Sequence, residues 1–363
     1  MIQDPELLNL CVFGAEVILN HLNALENEIE GVRRAEDIEC IHRMRVASRR
    51  LRNVLPIFAD CFPSRKIVVW QNNIRKITRA LGLARDTDVQ LELLNDVFAE
   101  LPEKRYRPGV RRLLIRLKQR RQKLQSKVIK SLEELEQSKT ISQIRERVET
   151  LMSWAPEQTV YSHELYLRAR QAISQKLDDM MAYEPYIYDP NRLKELHAMR
   201  ISAKKLRYTL ETFAPLYHNM LKKPIQAVRQ IQEMLGVIHD CDVWITTLPE
   251  FITEEKKRTI RYYGHSRPFN LLLPGIHFFL ANRQEMRHQE YQRFLSEWES
   301  WKKISLWEKL RQTITHPLTE ITEVYPPVSQ VSTEVTIPKI DLDTTIAPPP
   351  TQSESDLFQT KDQ

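Results

Sequence analysis

The chain has 363 residues, of which 42% are hydrophobic and 28% are charged, so it is long enough to form one or two sizeable cores. It contains only 7 glycines, where an average usage of roughly 7% would give about 25, and neither Gly-x-Gly-x-x-Gly nor Gly-x-x-x-x-Gly-Lys-[Ser/Thr] can be written. The two standard nucleotide-phosphate loops are therefore excluded, and the abundance of Leu, Arg, Lys, Glu and Gln favours an all-α fold.

The spacing of apolar residues predicts amphipathic helices up to about residue 312. In the first half the predicted helices cover 5–31, 37–60, 64–83, 86–100, 105–136 and 141–153. In the second half they cover 162–184, 190–215, 218–237, 240–263 and 282–311. Breaks are predicted around Pro102 and Pro156 and at 185–190 and 268–274. Short connections favour antiparallel neighbours, so each half is expected to form a helical bundle.

Residues 317–363 differ in composition from the rest of the chain. They contain two basic and eight acidic residues and 7 of the 20 prolines, without helical periodicity, which predicts a disordered acidic tail rich in Pro and Thr. Because the whole chain carries a net charge of +6, the helical body is strongly cationic and its expected partner is an anion. The tail is interpreted as an inert extension, a localisation segment or an internal competitor for the cationic body.

The cysteines and the N-terminal segment bear on the location of the protein. Four cysteines without Cys-x-x-Cys spacing predict reduced, buried thiols in a cytosolic protein; they are Cys11, Cys40, Cys61 and Cys241. Acidic residues near the N-terminus argue against a signal peptide. No fully apolar run of membrane-spanning length is found, which predicts no membrane span. We therefore expect a soluble, cytoplasmic protein.

Two motifs recur in the same order in both halves of the body. Residues 41–52 (IHRMRVASRRLR) match residues 196–207 (LHAMRISAKKLR) at an offset of 155 positions. Residues 81–89 (LGLARDTDV) match residues 235–243 (LGVIHDCDV) at nearly the same offset. This agreement predicts a tandem duplication, with repeats at about 3–155 and 160–312.

The segments 41–52 and 196–207 are each predicted to form a helix with one cationic face and one apolar face. At 100° per residue the bases of a stripe fall within about 80° of one another, and the stripe is about 15 Å long. A single stripe of this kind is often a solvated face, although its charges repel each other. Two such stripes, each headed by His, indicate a repeating anion bound through charge-assisted hydrogen bonds. The stripes comprise His42, Arg45, Arg49 and Arg52, and His197, Arg200, Lys204 and Arg207, flanked by Arg50 and Lys205.

The histidines and the second motif pair have less specific roles. Since Val or Ile stands four residues after each histidine, hydrogen-bond donation to an anion fits better than metal binding. Gly82 and Gly236 are predicted as helix C-caps, and Asp86 and Asp240 as caps of the following helices. A catalytic pair of carboxylates is the alternative for the two aspartates.

Further bases extend the cationic surface. Arg75 and Arg229 occupy equivalent positions one to two turns before the second motif of each half, and Arg85 lies within that motif. The segment 104–130 holds twelve Lys or Arg residues and no acid. Half of these bases are interpreted as solvated, and the candidates to line the same surface are Arg112, Arg116, Arg120 and Lys123.

These motifs resemble the conserved histidine α-helical domain (CHAD) family. The resemblance is carried by His-x-x-Arg-[Val/Ile]-x-x-[Arg/Lys]-[Arg/Lys]-Leu-Arg and Leu-Gly-x-x-x-Asp-x-Asp-Val in both halves, and it covers roughly 3–312. It implies two pseudo-symmetric helical bundles around a basic cavity that binds inorganic polyphosphate without hydrolysing it. Glu233 and His239 replace bases of the first half, which implies weaker binding by the second copy. The implied contacts are His42, Arg45, Arg49, Arg50, Arg52, His197, Arg200, Lys204, Lys205 and Arg207.

The sequence thus predicts non-enzymatic polyphosphate binding, with no cofactor and no metal. One alternative is binding of an RNA or DNA backbone, although the stripes lack interleaved aromatics for base stacking and Asn or Gln for base-edge recognition. The other alternative is a metal-dependent polyphosphate-processing enzyme that uses the aspartate pairs. The expected partner is inorganic polyphosphate, with other polyanions including nucleic acid left open. Association with polyphosphate granules in the cytoplasm is likewise left open.

Overall fold

The computed structural model describes residues 4–35, 37–155 and 161–315. Within these residues the fold is all-α, as predicted. The tail at 317–363 and the break at Pro156 lie outside the described residues. In chain order the α-helices are α1 (Pro5–Glu26), α2 (Ile29–Arg34), α3 (Ile38–Ile57), α4 (Ser64–Ala99), α5 (Arg107–Gln137), α6 (Thr140–Met152), α7 (His163–Met181), α8 (Leu193–Phe213), α9 (Lys222–Tyr263), α10 (Arg267–Asn270), α11 (Leu273–Lys303) and α12 (Leu306–Thr315).

Local sequence signals explain several helix ends. Asp4, Asp37 and Ser162 are N-caps whose side-chain oxygens accept backbone N–H groups of the first turn, as short polar residues do at this position. Gly264 ends α9 with a φ of 75°, a left-handed conformation that glycine adopts at low cost. Pro274 lies in the first turn of α11, which begins at Leu273 instead of the predicted residue 282. Proline is tolerated there because a first-turn N–H has no partner within the helix.

Helices α4 and α9 run through the two segments that were predicted to separate helices. The capping roles predicted for Gly82, Gly236, Asp86 and Asp240 are wrong, because all four lie in helix interiors. A glycine weakens a helix interior by about 1 kcal/mol but does not by itself end the helix. Gly82 instead faces Arg45, whose Nε lies 3.5 Å from where a Cβ at position 82 would be, an ordinary van der Waals distance.

The helices of the two halves follow the same order, with α1, α3, α4, α5 and α6 corresponding to α7, α8, α9, α11 and α12. Three equivalent pairs, α1 with α7, α3 with α8 and α5 with α11, contact each other between the halves. The duplication itself stays a prediction. The main core contains apolar residues of both halves, including Trp70, Phe213 and Trp298. A second core lies around Trp244 and Phe279. It joins the region where α4 connects to α5 with the region where α9 connects to α11. The surface between α3 and α8 therefore lies inside the molecule.

One disulfide corrects the prediction of four reduced cysteines. Cys11 of α1 is bonded to Cys61, just after α3, with the two Cα atoms 5.3 Å apart. Their sequence separation of 50 residues gave no sign that α1 and the end of α3 would meet at this point. Cys40 and Cys241 are free and buried, as predicted. The cytoplasmic location, which was inferred in part from free thiols, stays a prediction.

The helical segment Pro5–Arg34 is long and apolar enough, with a mean hydropathy of 1.3 over its best window, to cross a membrane by composition alone. The segment is not fully apolar, since it contains Glu6 and Glu16, and the prediction of no membrane span rested on the lack of a fully apolar run. In the structure Leu10, Ile18 and Leu22 of α1 are completely buried in the main core. This packing is typical of a core helix, whose apolar face contacts protein.

Candidate functional site

Helices α3 and α8 bring bases from both predicted stripes into one group. We call Arg45 and Arg49 of α3, with Arg200 and Lys204 of α8, the cation cluster. The charge of Arg49 acts on the pKa of both Arg200 and Lys204, so the two helices present their bases to each other. Two stripes that are 155 residues apart in sequence therefore form a single site.

Three members of the cation cluster are buried rather than displayed to solvent. The exposed fractions are 2% for Arg45, 0% for Arg200 and 5% for Lys204. Nζ of Lys204 and Nε of Arg45 have no hydrogen-bond partner. An unpaired buried cation is costly, because water is lost and no anion replaces it. The cluster is thus short of negative charge in the described residues.

Burial and mutual repulsion act together on these bases. Burial, followed by the charge of Arg49, lowers the pKa of Arg45 to about 9. Burial also lowers the pKa of Lys204 well below its ordinary value, with further contributions from Arg200 and Arg49. A bound anion would oppose both effects, since it stabilises the charged form of each base.

Two buried carboxyl groups lie beside the cation cluster. Oδ1 of Asp86 is 3.3 Å from a guanidinium nitrogen of Arg45. Burial raises the pKa of Asp86 to about 6, against the opposing charges of Arg45 and Arg200. Burial raises the pKa of Asp240 to about 8, where Arg200 opposes the shift and Asp86 adds to it. Asp240 is therefore mostly protonated at neutral pH, and the cluster keeps an excess of positive charge.

Of the two motif histidines, His197 is a neutral side chain in this environment. His42 is 3% exposed. Burial, with the charges of Arg200 and Lys204, lowers the pKa of His197 to about 4. The His197 ring also packs on His239, with the ring centroids 4.3 Å apart. A neutral imidazole still has one N–H to donate, so donation to an anion does not require the protonated form.

The C-terminal ends of the stripes meet around Tyr208. The guanidinium carbons of Arg49, Arg50 and Arg207 lie 6.0, 5.8 and 5.6 Å from the centroid of its ring, within the range of cation–π attraction. Arg50 and Arg207 also form ion pairs with Glu211, at 3.0 and 2.9 Å. These two predicted contacts are already partly neutralised by a carboxylate of the protein.

Three of the predicted contacts are open to solvent. Arg52, Arg75 and Lys205 are all exposed. Partial burial and the neighbouring charge of Arg75 lower the pKa of Arg52, which places these two bases side by side. They continue the cationic surface from the cation cluster toward solvent.

Two further predicted contacts are paired with acids. Arg85 is buried and lies 3.1 Å from Glu39. Arg229 lies 2.8 Å from Glu233, the residue that replaces a base of the first half. Ion pairing of this kind reduces the positive charge that either arginine offers to a ligand.

The bases near the start of α5 serve a different structure. Arg112 and Arg116 surround Glu255 of α9 together with Arg258, and we call these four residues the Glu255 cluster. Glu255 is 1% exposed, at the second core. Arg112 and Arg116, two of the candidates to line the anion surface, thus form ion pairs with Glu255.

Comparisons with known proteins were consistent in fold. The family model described as "CHAD domain" matches residues 16–249, more than half of the chain. The crystal structure of the CHAD domain from the plant Ricinus communis has a similar fold, with a TM-score of 0.59, 20% identity, and coverage of 79% of this chain and 91% of that one. PptA from Streptomyces chartreusis gives a TM-score of 0.49 and 15% identity over 79% of this chain and 98% of that one. No curated protein sequence matches the chain.

Proposed function

The chain belongs to the CHAD domain family, and from this premise we propose that it binds inorganic polyphosphate in the cation cluster without hydrolysing it. The observation that carries the proposal is a buried group of basic side chains between α3 and α8, in which Nζ of Lys204 has no hydrogen-bond partner. Such a group is costly in the free protein. A ligand with negative charge at short, regular intervals would compensate it through charge-assisted hydrogen bonds.

Burial also favours a thin polyanion over a nucleic-acid duplex. The phosphates of a duplex lie on the outside of a wide helix, where mainly exposed Lys and Arg side chains reach them. Arg45, Arg200 and Lys204 are almost fully buried. A linear polyphosphate chain has no bases or sugars and fits between two helices more easily.

Binding without turnover is part of the proposal. Asp86 is paired with Arg45, and burial raises the pKa of both Asp86 and Asp240. Carboxyl groups that are protonated or held by arginine are poor ligands for the divalent cations that assist phosphoryl transfer.

Competition at physiological salt tests the proposed function. Labelled long-chain polyphosphate is titrated with the full chain and then challenged with single-stranded RNA, duplex DNA and ATP, with and without Mg²⁺. We expect polyphosphate to stay bound and to keep its length on a gel. Displacement by RNA or DNA at equal phosphate concentration would make the site a general polyanion surface, and shortening of the polymer with Mg²⁺ would make the protein an enzyme.

The carboxyl groups of the site predict a pH dependence of binding. The pKa values of Asp86 and Asp240 are about 6 and about 8 in the free protein. A polyanion nearby raises both values, so binding takes up protons between these pH values and affinity falls as pH rises through this interval. Protonation of Lys204 on binding has the same sign, because burial lowers its pKa in the free protein.

Calorimetry at pH 7 in two phosphate-free buffers of different ionisation enthalpy measures this coupling. We expect an uptake of roughly one proton per bound chain. The protein with Asp86→Asn is the control, and it should take up fewer protons, because Asp86, with a pKa of about 6, is largely ionised at pH 7 in the free protein. Proton release, or equal heats in both buffers, would contradict the assignment of these carboxyl groups to the binding site.

A further inference from the structure

Glu211 lies where the C-terminal ends of the two stripes meet. Its Oε2 is 3.0 Å from Arg50 of α3 and its Oε1 is 2.9 Å from Arg207 of α8. Each carboxylate oxygen thus binds a guanidinium from a different half of the chain. Carboxylate and phosphate oxygens are equivalent acceptors for such guanidinium groups.

We propose that Glu211 is an internal anion that occupies the place of a phosphate and closes this end of the polyphosphate site. The inference rests on the proposed function and adds a residue that limits the length and affinity of the site. Arg50 and Arg207 are then already paired with an anion in the free protein, whereas Nζ of Lys204 in the cation cluster has no hydrogen-bond partner. A bound polymer then leaves the site at the end opposite Glu211.

The two halves differ at this position, which gives the site a direction. At the offset of 155 residues Glu211 corresponds to Pro56, so the first half has no carboxylate there. Arg207 corresponds to Arg52, which is exposed and has Arg75 as its charged neighbour instead of an acid. Equivalent bases are therefore neutralised in one half and reinforced in the other.

Arg49 shows what an unblocked base of the same helix looks like. It lies next to Arg50 in sequence, contacts the same Tyr208 ring and forms no ion pair with a described acid. Its positive charge acts on Arg45, Arg200 and Lys204. Arg49 and Arg50 therefore form a matched pair that differs in the presence of Glu211.

The test is the affinity of the Glu211→Gln variant for long-chain polyphosphate, measured over a series of salt concentrations. Gln keeps the size and one acceptor oxygen but removes the charge. We expect binding to tighten roughly three- to tenfold, because one additional charge-assisted contact becomes available. The slope of log affinity against log salt concentration should steepen by the equivalent of about one phosphate contact. Glu149→Gln on α6 is the control, with the same change in net charge and less than about a twofold effect.

A second comparison has one arm, in the otherwise unchanged protein, that does not depend on the folding of the Glu211 variant. In the otherwise unchanged protein, Arg50→Ala should weaken binding much less than Arg49→Ala, because Arg50 is already paired. In the Glu211→Gln background the cost of Arg50→Ala should increase. Equal losses for the two alanine variants in the unchanged protein would overturn the inference.

The outcomes separate the inference from the proposed function. If the unchanged protein fails to bind polyphosphate, the proposed function is wrong and Glu211 has no such role. If the unchanged protein binds and Glu211→Gln binds with the same affinity and the same salt slope, only the inference is wrong. Weaker binding by Glu211→Gln with an unchanged melting temperature would also overturn it, since the carboxylate would then support the site.

Discussion

Replacing Arg45 and Arg200 together by alanine is expected to abolish tight binding of long-chain polyphosphate. Both guanidiniums are buried, with exposed fractions of 2% and 0%, and they face each other from α3 and α8. Each charge-assisted hydrogen bond contributes roughly 1.5–3 kcal/mol, so the double variant should bind at least about a hundredfold more weakly. Fluorescence anisotropy with a labelled polymer at physiological salt measures this loss.

The same substitutions should leave the fold almost unchanged. Burial and like charges lower the pKa of both arginines, which means that their charged forms are unfavourable in the free protein. Asp86 loses its ion pair with Arg45, but its pKa is already about 6, so it becomes protonated instead of remaining as an unpaired charge. The melting temperature and the helical circular dichroism signal are therefore expected to stay near those of the unchanged protein.

A charge-matched control separates the site from the overall electrostatic attraction. Arg105 and Arg293 have side chains that are 64% and 63% exposed, and replacing both by alanine changes the net charge by the same amount. This control should bind polyphosphate with nearly unchanged affinity. A similar loss in both double variants would show that net charge drives binding, and full affinity of the Arg45 and Arg200 variant would remove the cation cluster from the site.

Helical periodicity was the most informative signal in the sequence. Composition and spacing predicted an all-α chain, and the wheel placed Arg45 and Arg49, and likewise Arg200 and Lys204, on one helix face. This information is local, because the bases of a stripe are separated by one or two turns. Which stripe faces which is a property of tertiary packing, and here the motif repeat was the only sequence-based indication.

Long-range contacts explain what the sequence did not reveal. Asp86 looked like a helix cap because it follows a glycine, yet α4 continues past it and the carboxylate binds Arg45. Glu211 is separated from Arg50 by 161 residues, so only its spacing of four residues from Arg207 was visible in the sequence. Cys11 and Cys61 likewise meet only because α1 packs on α3. Such partners of buried charges and thiols are set by packing, which periodicity does not encode.

The Glu255 cluster gives the largest expected effect on stability. Glu255 is 1% exposed and accepts hydrogen bonds from Arg116 at 3.2 Å and Arg258 at 2.9 Å, with Arg112 at 3.6 Å. It is thus one carboxylate shared by three arginines that lie beside the second core. Removing it takes from all three arginines the carboxylate that they share, whereas removing any one arginine leaves two others around Glu255.

Glu255→Ala is therefore expected to lower the free energy of unfolding by about 3 kcal/mol, the lower end of the range for breaking a buried ion pair. The lower end applies because the arginines are 19–38% exposed and regain some hydration. The melting temperature should fall by roughly 10 °C. Glu254→Ala is the matched control, since the neighbouring Glu254 is 37% exposed and pairs with Lys257 at 2.9 Å, and it should change stability by less than about 1 kcal/mol.

Hydrogen exchange locates the effect within the fold. The Glu255 cluster joins α5 to α9 at the second core, around Leu113, Leu117 and Phe251, while the cation cluster lies between α3 and α8. Glu255→Ala should therefore speed exchange first near the start of α5 and near the end of α9. Polyphosphate affinity should stay near its original value. Equal stability of the Glu255 and Glu254 variants would show that the three arginines are fully satisfied by water. A loss of polyphosphate binding at unchanged stability would place the ligand at the second core, because only a ligand in direct contact with these arginines would depend on their carboxylate partner.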